Sequence, residues 1–243
     1  MKRGLSSLSW VVAALLMLGA GYAAEQSRYH KSERAENDVV YLPSTEALRL
    51  VSLGYEELTA DLLWLRIVTY YGEWKQGDHG MNFFRELAYR VVELDPHFVD
   101  AYRFAALVLA DDLGAMDEAI TLLEKGMVQM PDSWWLPFEA GFLEYTVRMD
   151  DEAASRWFEI SARKPDAPDV AKRFAAFVAS RAGDLNVSYE LWRFVAETTH
   201  NPDMRKKALE YMDELRAAIE GTGPVPEWAR RRRLVNGRTD GDA

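Results

Sequence analysis

Apolar residues along this chain recur at helical spacing in segment after segment, and turn residues punctuate the segments at a nearly constant interval. Pro96, Pro131 and Pro165 follow one another at 35 and 34 residues (131 − 96 and 165 − 131). Each closes a stretch of helical periodicity, as a proline just past a helix end does. Between them the pattern predicts helices in pairs. Asp100 to Asp112 and Met116 to Gln129 flank Gly114, Trp134 to Arg148 precedes Asp151 to Arg163, and Asp169 to Arg181 and Leu185 to Thr199 flank Gly183. Asn201-Pro202 closes the last pair late, 37 residues (202 − 165) after Pro165. Met204 to Ile219 then sets Ala208, Tyr211, Met212, Leu215 and Ile219 on one face, the pattern of a helix that covers the end of a stack. Units of this length cannot bury their apolar faces alone and are stable only when stacked.

Before Pro96 the pattern is looser. Glu25 to Asp38 is charge-rich and poor in large apolar residues, so 25–43 reads as a linker. Tyr41-Leu42-Pro43 is extended, because proline disfavours helix in the residue before it. Ser44 then caps a helix that Gly54 loosens. Thr59 to Trp74 is apolar nearly all round, with Leu62, Leu63, Leu65, Ile67 and Val68 on several sides and Asp61 and Arg66 among its few charges. An all-round apolar helix predicts a central place in the core. A turn at Gln76 to Gly80 leads to a return helix, Phe83 to Leu94. The helical domain therefore spans 44–220, with a degenerate first unit at 59–96, clearer units at 97–131, 132–165 and 166–202, and a capping helix at 203–220. Residues 221–243, with Gly223, Pro224, Pro226 and the run Arg230 to Arg233, read as a partly disordered basic tail.

The N-terminus is a targeting segment. Lys2 and Arg3 precede a stretch from Leu5 to Ala24 that carries no charge. Two readings of 1–24 stand. One is a cleaved secretory signal peptide, with the small residues Gly21 and Ala23 around Tyr22. The other, preferred, is an uncleaved transmembrane anchor, which needs about 20 apolar residues. Either way the basic flank stays inside and the remainder is exported. The expected location is the inner membrane with the repeat domain in the periplasm, or a soluble periplasmic protein after cleavage.

Composition narrows the chemistry. A net charge of −10 opposes a general nucleic-acid binder, which needs a basic face. The absence of cysteine excludes disulfides, thiol catalysis and Cys-based metal sites. His30, His79, His97 and His200 are scattered and form no His-x-x-x-His pair, so no metal or other cofactor is expected. The phosphate-loop, Gly-x-Gly-x-x-Gly and Gly-x-Ser-x-Gly patterns are absent. Asp111-Asp112 and Asp150-Asp151 are sequence neighbours, which point apart on a helix and make no acid–base dyad. No catalytic role is expected.

Small residues fall where close helix packing needs them: Ala119 four before Leu123, Ala153 before Trp157, Ser188 before Trp192, and the pairs Ala140-Gly141 and Ala175-Ala176. On these residues and the proline interval, Asp100 to Pro202 resembles the tetratricopeptide repeat family. Ala106-Leu107 departs from its small pair. The resemblance implies an all-α fold, a right-handed solenoid of antiparallel helix pairs. Residues from Tyr41-Leu42-Pro43-Ser44 through Ala60-Asp61-Leu62-Leu63-Trp64 to Tyr70-Tyr71-Gly72 also resemble the opening of a group of bacterial, membrane-anchored repeat proteins of unestablished activity.

Trp135, Phe138, Phe142 and Tyr145 lie at i, i+3, i+7 and i+10, on one helix face. In the family that this stretch resembles, the first helix of each unit lines a concave groove. By that register these four face the groove, with Phe104 and Val108 one unit earlier and Arg173 and Phe177 one unit later. The face suits an amphipathic helix or an extended apolar peptide. Filling of the groove by the chain's own segments, and plain inter-helix core, stay open as readings. Family members that grip a peptide carboxylate place Lys and Asn at these positions, where this chain has Phe104, Val108, Phe138 and Phe142, so no carboxylate clamp is expected. The functional expectation is a protein–protein interaction scaffold for an envelope complex, whose partner is a protein or peptide. The alternative is a permanent structural subunit of a membrane assembly.

Overall fold

The computed structural model describes residues 42–77 and 80–231, together with two short strands, Leu234–Val235 and Arg238–Thr239, which pair antiparallel. The segment expected to be a signal or anchor, most of the linker, and Arg232 and Arg233 lie outside the described residues. Apart from that strand pair, the described elements are helical, and the fold is all-α. Among the described residues, no helix is long and apolar enough to cross a membrane. The chain divides into two compact units, residues 1–94 and 95–243.

The first unit contains α1 (Thr45–Ser52), α2 (Glu56–Lys75) and α3 (Phe84–Leu94). Ser44 caps α1, its hydroxyl accepting from the Ala47 amide at 3.3 Å. Leu53 and Gly54 then adopt left-handed backbone (φ 51° and 90°), which ends α1 and starts α2 in a new direction. The core of the unit is Leu48, Ala60, Ile67, Tyr70, Phe84, Leu87, Val91 and Leu94. Polar links tie α1 to α3: Arg49 donates to the Glu93 carbonyl at 2.8 Å, and the Thr45 hydroxyl bonds the Glu93 carboxylate. Tyr70 anchors the loop before α3, donating to the Gly80 carbonyl at 2.6 Å.

One expectation fails here. The helix read as central in the core is buried only along Ala60, Ile67 and Tyr70. Leu58, Leu62, Leu65 and Val68 stand exposed. Packing against α1 and α3 uses one side of α2, and the described chain supplies nothing to cover the other.

The second unit contains α4 (Val99–Asp111), α5 (Met116–Gln129), α6 (Trp135–Leu143), α7 (Asp151–Ala162), α8 (Asp169–Ala182), α9 (Leu185–Thr198) and α10 (Pro202–Ile219). Each helix packs chiefly on its neighbours in the chain. The boundaries follow the caps. Asp150, Asp184 and Asn201 each accept from a backbone amide in the first turn of the helix that follows, and α10 has Pro202 at its start. The sequence pattern runs one helix from Trp134 to Arg148, but α6 ends at Leu143 and the backbone continues as a π-turn, Glu144–Arg148. Met149 then closes it in left-handed backbone (φ 61°).

The small residues allow the close approaches. A Cβ on Gly126 would sit 2.9 Å from the Tyr102 ring and 3.0 Å from a Leu136 methyl, so α4, α5 and α6 converge there. A Cβ on Gly141 would sit 3.0 Å from the Phe158 ring. Ala119, Ala140, Ala175, Ala176 and Ser188 are fully buried, and the Ser188 hydroxyl donates to the Ala176 carbonyl of α8 at 2.8 Å. A continuous core runs from Phe158 of α7 through Val178 of α8, Leu191, Trp192 and Val195 of α9, to Met212 and Leu215 of α10.

The start of the basic tail belongs to this core. Glu227–Ala229 forms a 3-10 turn, Ala229 is buried, and Trp228 packs on Tyr211 and Trp192 at centroid distances of 4.5 and 6.3 Å. Its indole N–H donates to Glu214 at 2.7 Å. A tryptophan among charged and turn residues is the physical reason: the apolar area of its ring outweighs the ordering of a short loop.

Phe158 is fully buried at the head of the core. Phe158→Ala should lower the unfolding free energy by about 3–5 kcal/mol, measured by urea denaturation. A loss below 1 kcal/mol would mean that the site collapses around the smaller residue or that the ring is not core.

Candidate functional site

The helix α6 presents its N-terminal half as an aromatic face. Trp134 and Trp135 stack with centroids 3.9 Å apart. Phe138 meets Trp135 edge-on at 6.1 Å, then Phe158 of α7 at 5.2 Å and Phe174 of α8 at 5.6 Å. Five rings from three helices thus form one array whose inner end is core and whose outer end is Trp135, 37% exposed. Edge-to-face contacts of this kind add stability beyond the buried area.

The outer end is held by charge. The Arg103 guanidinium of α4 lies 3.9 Å from the Trp135 ring centroid. It is fixed there by Glu139 of α6 at 3.1 Å and by Asp100 at 3.1 Å. The Glu139 side chain is almost wholly buried. Burial pushes its carboxyl above the usual carboxylate range, and the charge and hydrogen bond of Arg103 pull it part of the way back. Beneath this, burial pushes the Tyr102 hydroxyl up to about 12, with the Asp95 charge adding to it. At the other end of α6, Glu144 is buried in the π-turn and paired with Arg148 at 3.4 Å, and Arg148 also reaches Asp117 of α5. Burial raises the Glu144 carboxyl too, against the pull of Arg148.

Of the eight residues that the sequence singles out, Trp135, Phe142 and Arg173 are exposed. Phe138, Tyr145 and Phe177 are half-buried and packed against the core of the second unit, Phe104 is half-buried, and Val108 is 1% exposed. Trp135 and Phe138 come together in the ring array. Among the described residues, Phe142 and Arg173 stand outside it, and Arg181 rather than Arg173 lies over Phe177, at 5.5 Å.

Sequence reasoning missed Trp134, Phe158, Phe174, Arg103 and Glu139. For the last two a signal existed. Arg103 and Glu139 lie 36 residues apart (139 − 103), near the proline interval, so charges of opposite sign occupy matching places on successive units.

Chemically, this face combines a part-exposed indole, a guanidinium and a buried carboxyl. Trp135 is a large amphipathic ring in contact with both Trp134 and Arg103, the kind of supported aromatic that anchors protein contacts. No group of three or more His, Asp or Glu residues able to hold a metal ion occurs among the described residues. An open cleft elsewhere in the unit, lined by Glu152, Arg156, Glu159, Asp184, Asn186 and Arg231, includes none of the eight residues. No protein-family model matches the chain, and no curated protein matches it.

The Arg103–Glu139 pair sets a pH dependence. A raised carboxyl pKa means that the folded state holds its proton more tightly than the unfolded state does. Between the ordinary carboxylate value and the raised one, the folded state binds more protons, so stability falls as pH rises through that window. Glu144 contributes with the same sign. Urea denaturation between about pH 4 and 7 should show Glu139→Gln losing less stability than the wild type as pH rises. Arg103→Ala, which leaves the buried Glu139 without its partner, should cost about 2 kcal/mol at neutral pH, and Glu139→Gln should relieve much of that loss. Equal pH slopes for wild type and E139Q would show that the buried carboxyl is not the titrating group.

Proposed function

We propose that this chain is a non-catalytic interaction scaffold of the tetratricopeptide-repeat kind, a right-handed solenoid of antiparallel helix pairs exported and held at the bacterial inner membrane by residues 1–24. The recurrence of paired helices at the proline interval supports the repeat reading, as does the burial of small residues at helix crossings. The uncharged stretch from Leu5 to Ala24 behind Lys2 and Arg3 supports the membrane reading.

The observation that carries the binding function is the braced exposure of Trp135. An aromatic ring fixed by a stacked tryptophan and a guanidinium, yet 37% open to solvent, is pre-ordered for a partner. Phe142, equally exposed two turns further along α6, extends the apolar contact, and Arg173 supplies a basic edge on α8. A protein segment with apolar side chains spaced along a helix or strand, and an acidic group beside them, fits this face. The alternative, a permanent subunit of a membrane assembly, draws support from the exposed leucines of α2, since a lasting assembly would cover them.

The test uses the full chain in crosslinked cells. A photo-crosslinking residue at position 173, on the basic edge of the face, should capture an envelope protein. Trp135→Glu with Phe142→Glu should reduce that capture about tenfold or more with unchanged helical content at the assay temperature, the melting temperature falling only by what the lost Trp135 ring contacts contribute. Phe138 is unsuitable for this purpose, since its ring is part of the core array. Undiminished capture by the folded double variant would place the partner site elsewhere.

A further inference from the structure

We propose that the exposed side of α2 is a self-association seam, occupied by the same seam of a second copy of this chain packed parallel and in register. The proposal does not rest on the partner face of α6. Leu58, Leu62 and Leu65 are 56%, 61% and 63% exposed, while Ala60, Ile67 and Tyr70 on the other side of the helix are buried in the first unit. With Tyr55, the cap of the helix, ahead of them and Thr69 and the part-buried Gly72 behind, positions 55, 58, 62, 65, 69 and 72 advance by alternating steps of three and four. That is the heptad period of a two-helix seam, narrower than the face a helix turns towards a globular core.

Tyr55, Leu62 and Thr69 take the first core position of each heptad, and Leu58, Leu65 and Gly72 the second. Leucine in that second position suits a parallel pair of helices. The Thr69 hydroxyl donates to the Leu65 carbonyl at 2.9 Å, so its polar group needs no partner from outside the helix. A methyl on Gly72 would meet no atom within 4 Å, so the chain's own packing does not call for glycine there. At a seam position, a bare backbone lets a second helix come close.

The charges decide the occupant. Asp61 and Arg66 flank the seam, both exposed, and neither joins an ion pair among the described residues. In a parallel pair, the flanking residue just before a first core position faces the partner's residue five places further on, which follows the second core position. Asp61 of each copy therefore meets Arg66 of the other, twice by symmetry. The seam is self-complementary in shape and in charge. A lipid surface would call for basic residues around the leucines, whereas Glu56, Glu57 and Asp61 make this border acidic.

The chain has no cysteine, so a single introduced thiol reports only its own neighbour. Full-length Leu65→Cys, in native membranes or detergent, should form a disulfide-linked dimer on mild oxidation. Val128→Cys, at a position 77% exposed on α5, should not. In the Leu65→Cys background, Leu62→Glu should abolish the crosslink without changing helical content. Asp61→Arg and Arg66→Asp should each lower its yield about tenfold. The double variant D61R/R66D, and an equimolar mixture of the two single variants, should restore it. Absence of the 65–65 crosslink overturns the proposal, as does a crosslink indifferent to Leu62→Glu or charge reversal without rescue. Leucine-dependent binding to lipid vesicles by a chain that stays monomeric would assign the seam to a membrane instead, and also overturns it.

Discussion

The second unit depends on one close contact, the seat of Phe158 against the bare backbone of Gly141. The ring lies where a side chain at 141 would begin, which lets α7 approach α6 closely enough to carry Phe158 into contact with Phe138 and Phe174. From that point the geometry follows. Phe138 is drawn inward as a core ring, and Trp135, one turn earlier on the same face, is left at the rim. An interior packed to crystal-like density has no slack at such a contact. A side chain at 141 would press on the Phe158 ring, which would have to give by a few tenths of an ångström.

Much of this was legible from spacing. Periodicity, caps and prolines located the helices from Met116–Gln129 through Pro202–Ile219 to within a residue or two, except that α6 gives way to the π-turn five residues before its expected end, because these signals are local and agree with one another. What the sequence could not supply was direction within a face. Trp135, Phe138, Phe142 and Tyr145 share a helical stripe, yet Phe138 points at Phe158 and Trp135 does not. The difference comes from α7 and α8, which lie far along the chain. The π-turn at Glu144 was invisible for the same reason. It accompanies a buried carboxylate paired with Arg148, and Arg148 in turn reaches Asp117 on another helix. The ordered part of the tail after Gly221 was hidden for a different reason. Its composition is that of a loop, and the outcome turned on one residue, Trp228, finding Tyr211 and Trp192.

The Arg103–Glu139 pair shows how a costly arrangement can serve a surface. Removing a carboxylate from water is unfavourable, as its raised pKa records, and a well-packed apolar pair in its place would be at least as stable. What the pair supplies is position. A guanidinium paired with two carboxylates is directed over the ring, which favours one orientation of it. An exposed tryptophan that already sits in one rotamer loses less entropy when a partner arrives.

The first unit poses the opposite case, an apolar surface with no bracing. On α2 the exposed side chains are leucines, without the polar edge that makes tryptophan tolerable in water, and they repeat along the helix instead of converging on a point. An all-round apolar helix is read as core because a helix usually has one apolar client. Here the buried side, Ala60, Ile67 and Tyr70, serves α1 and α3, and the opposite side carries a second row, Leu58, Leu62 and Leu65. A second apolar row on the side turned away from α1 and α3 is left for a partner outside the described chain. The face with the heptad period asks for another helix, and the opposed charges at Asp61 and Arg66 make a copy of itself a sufficient one.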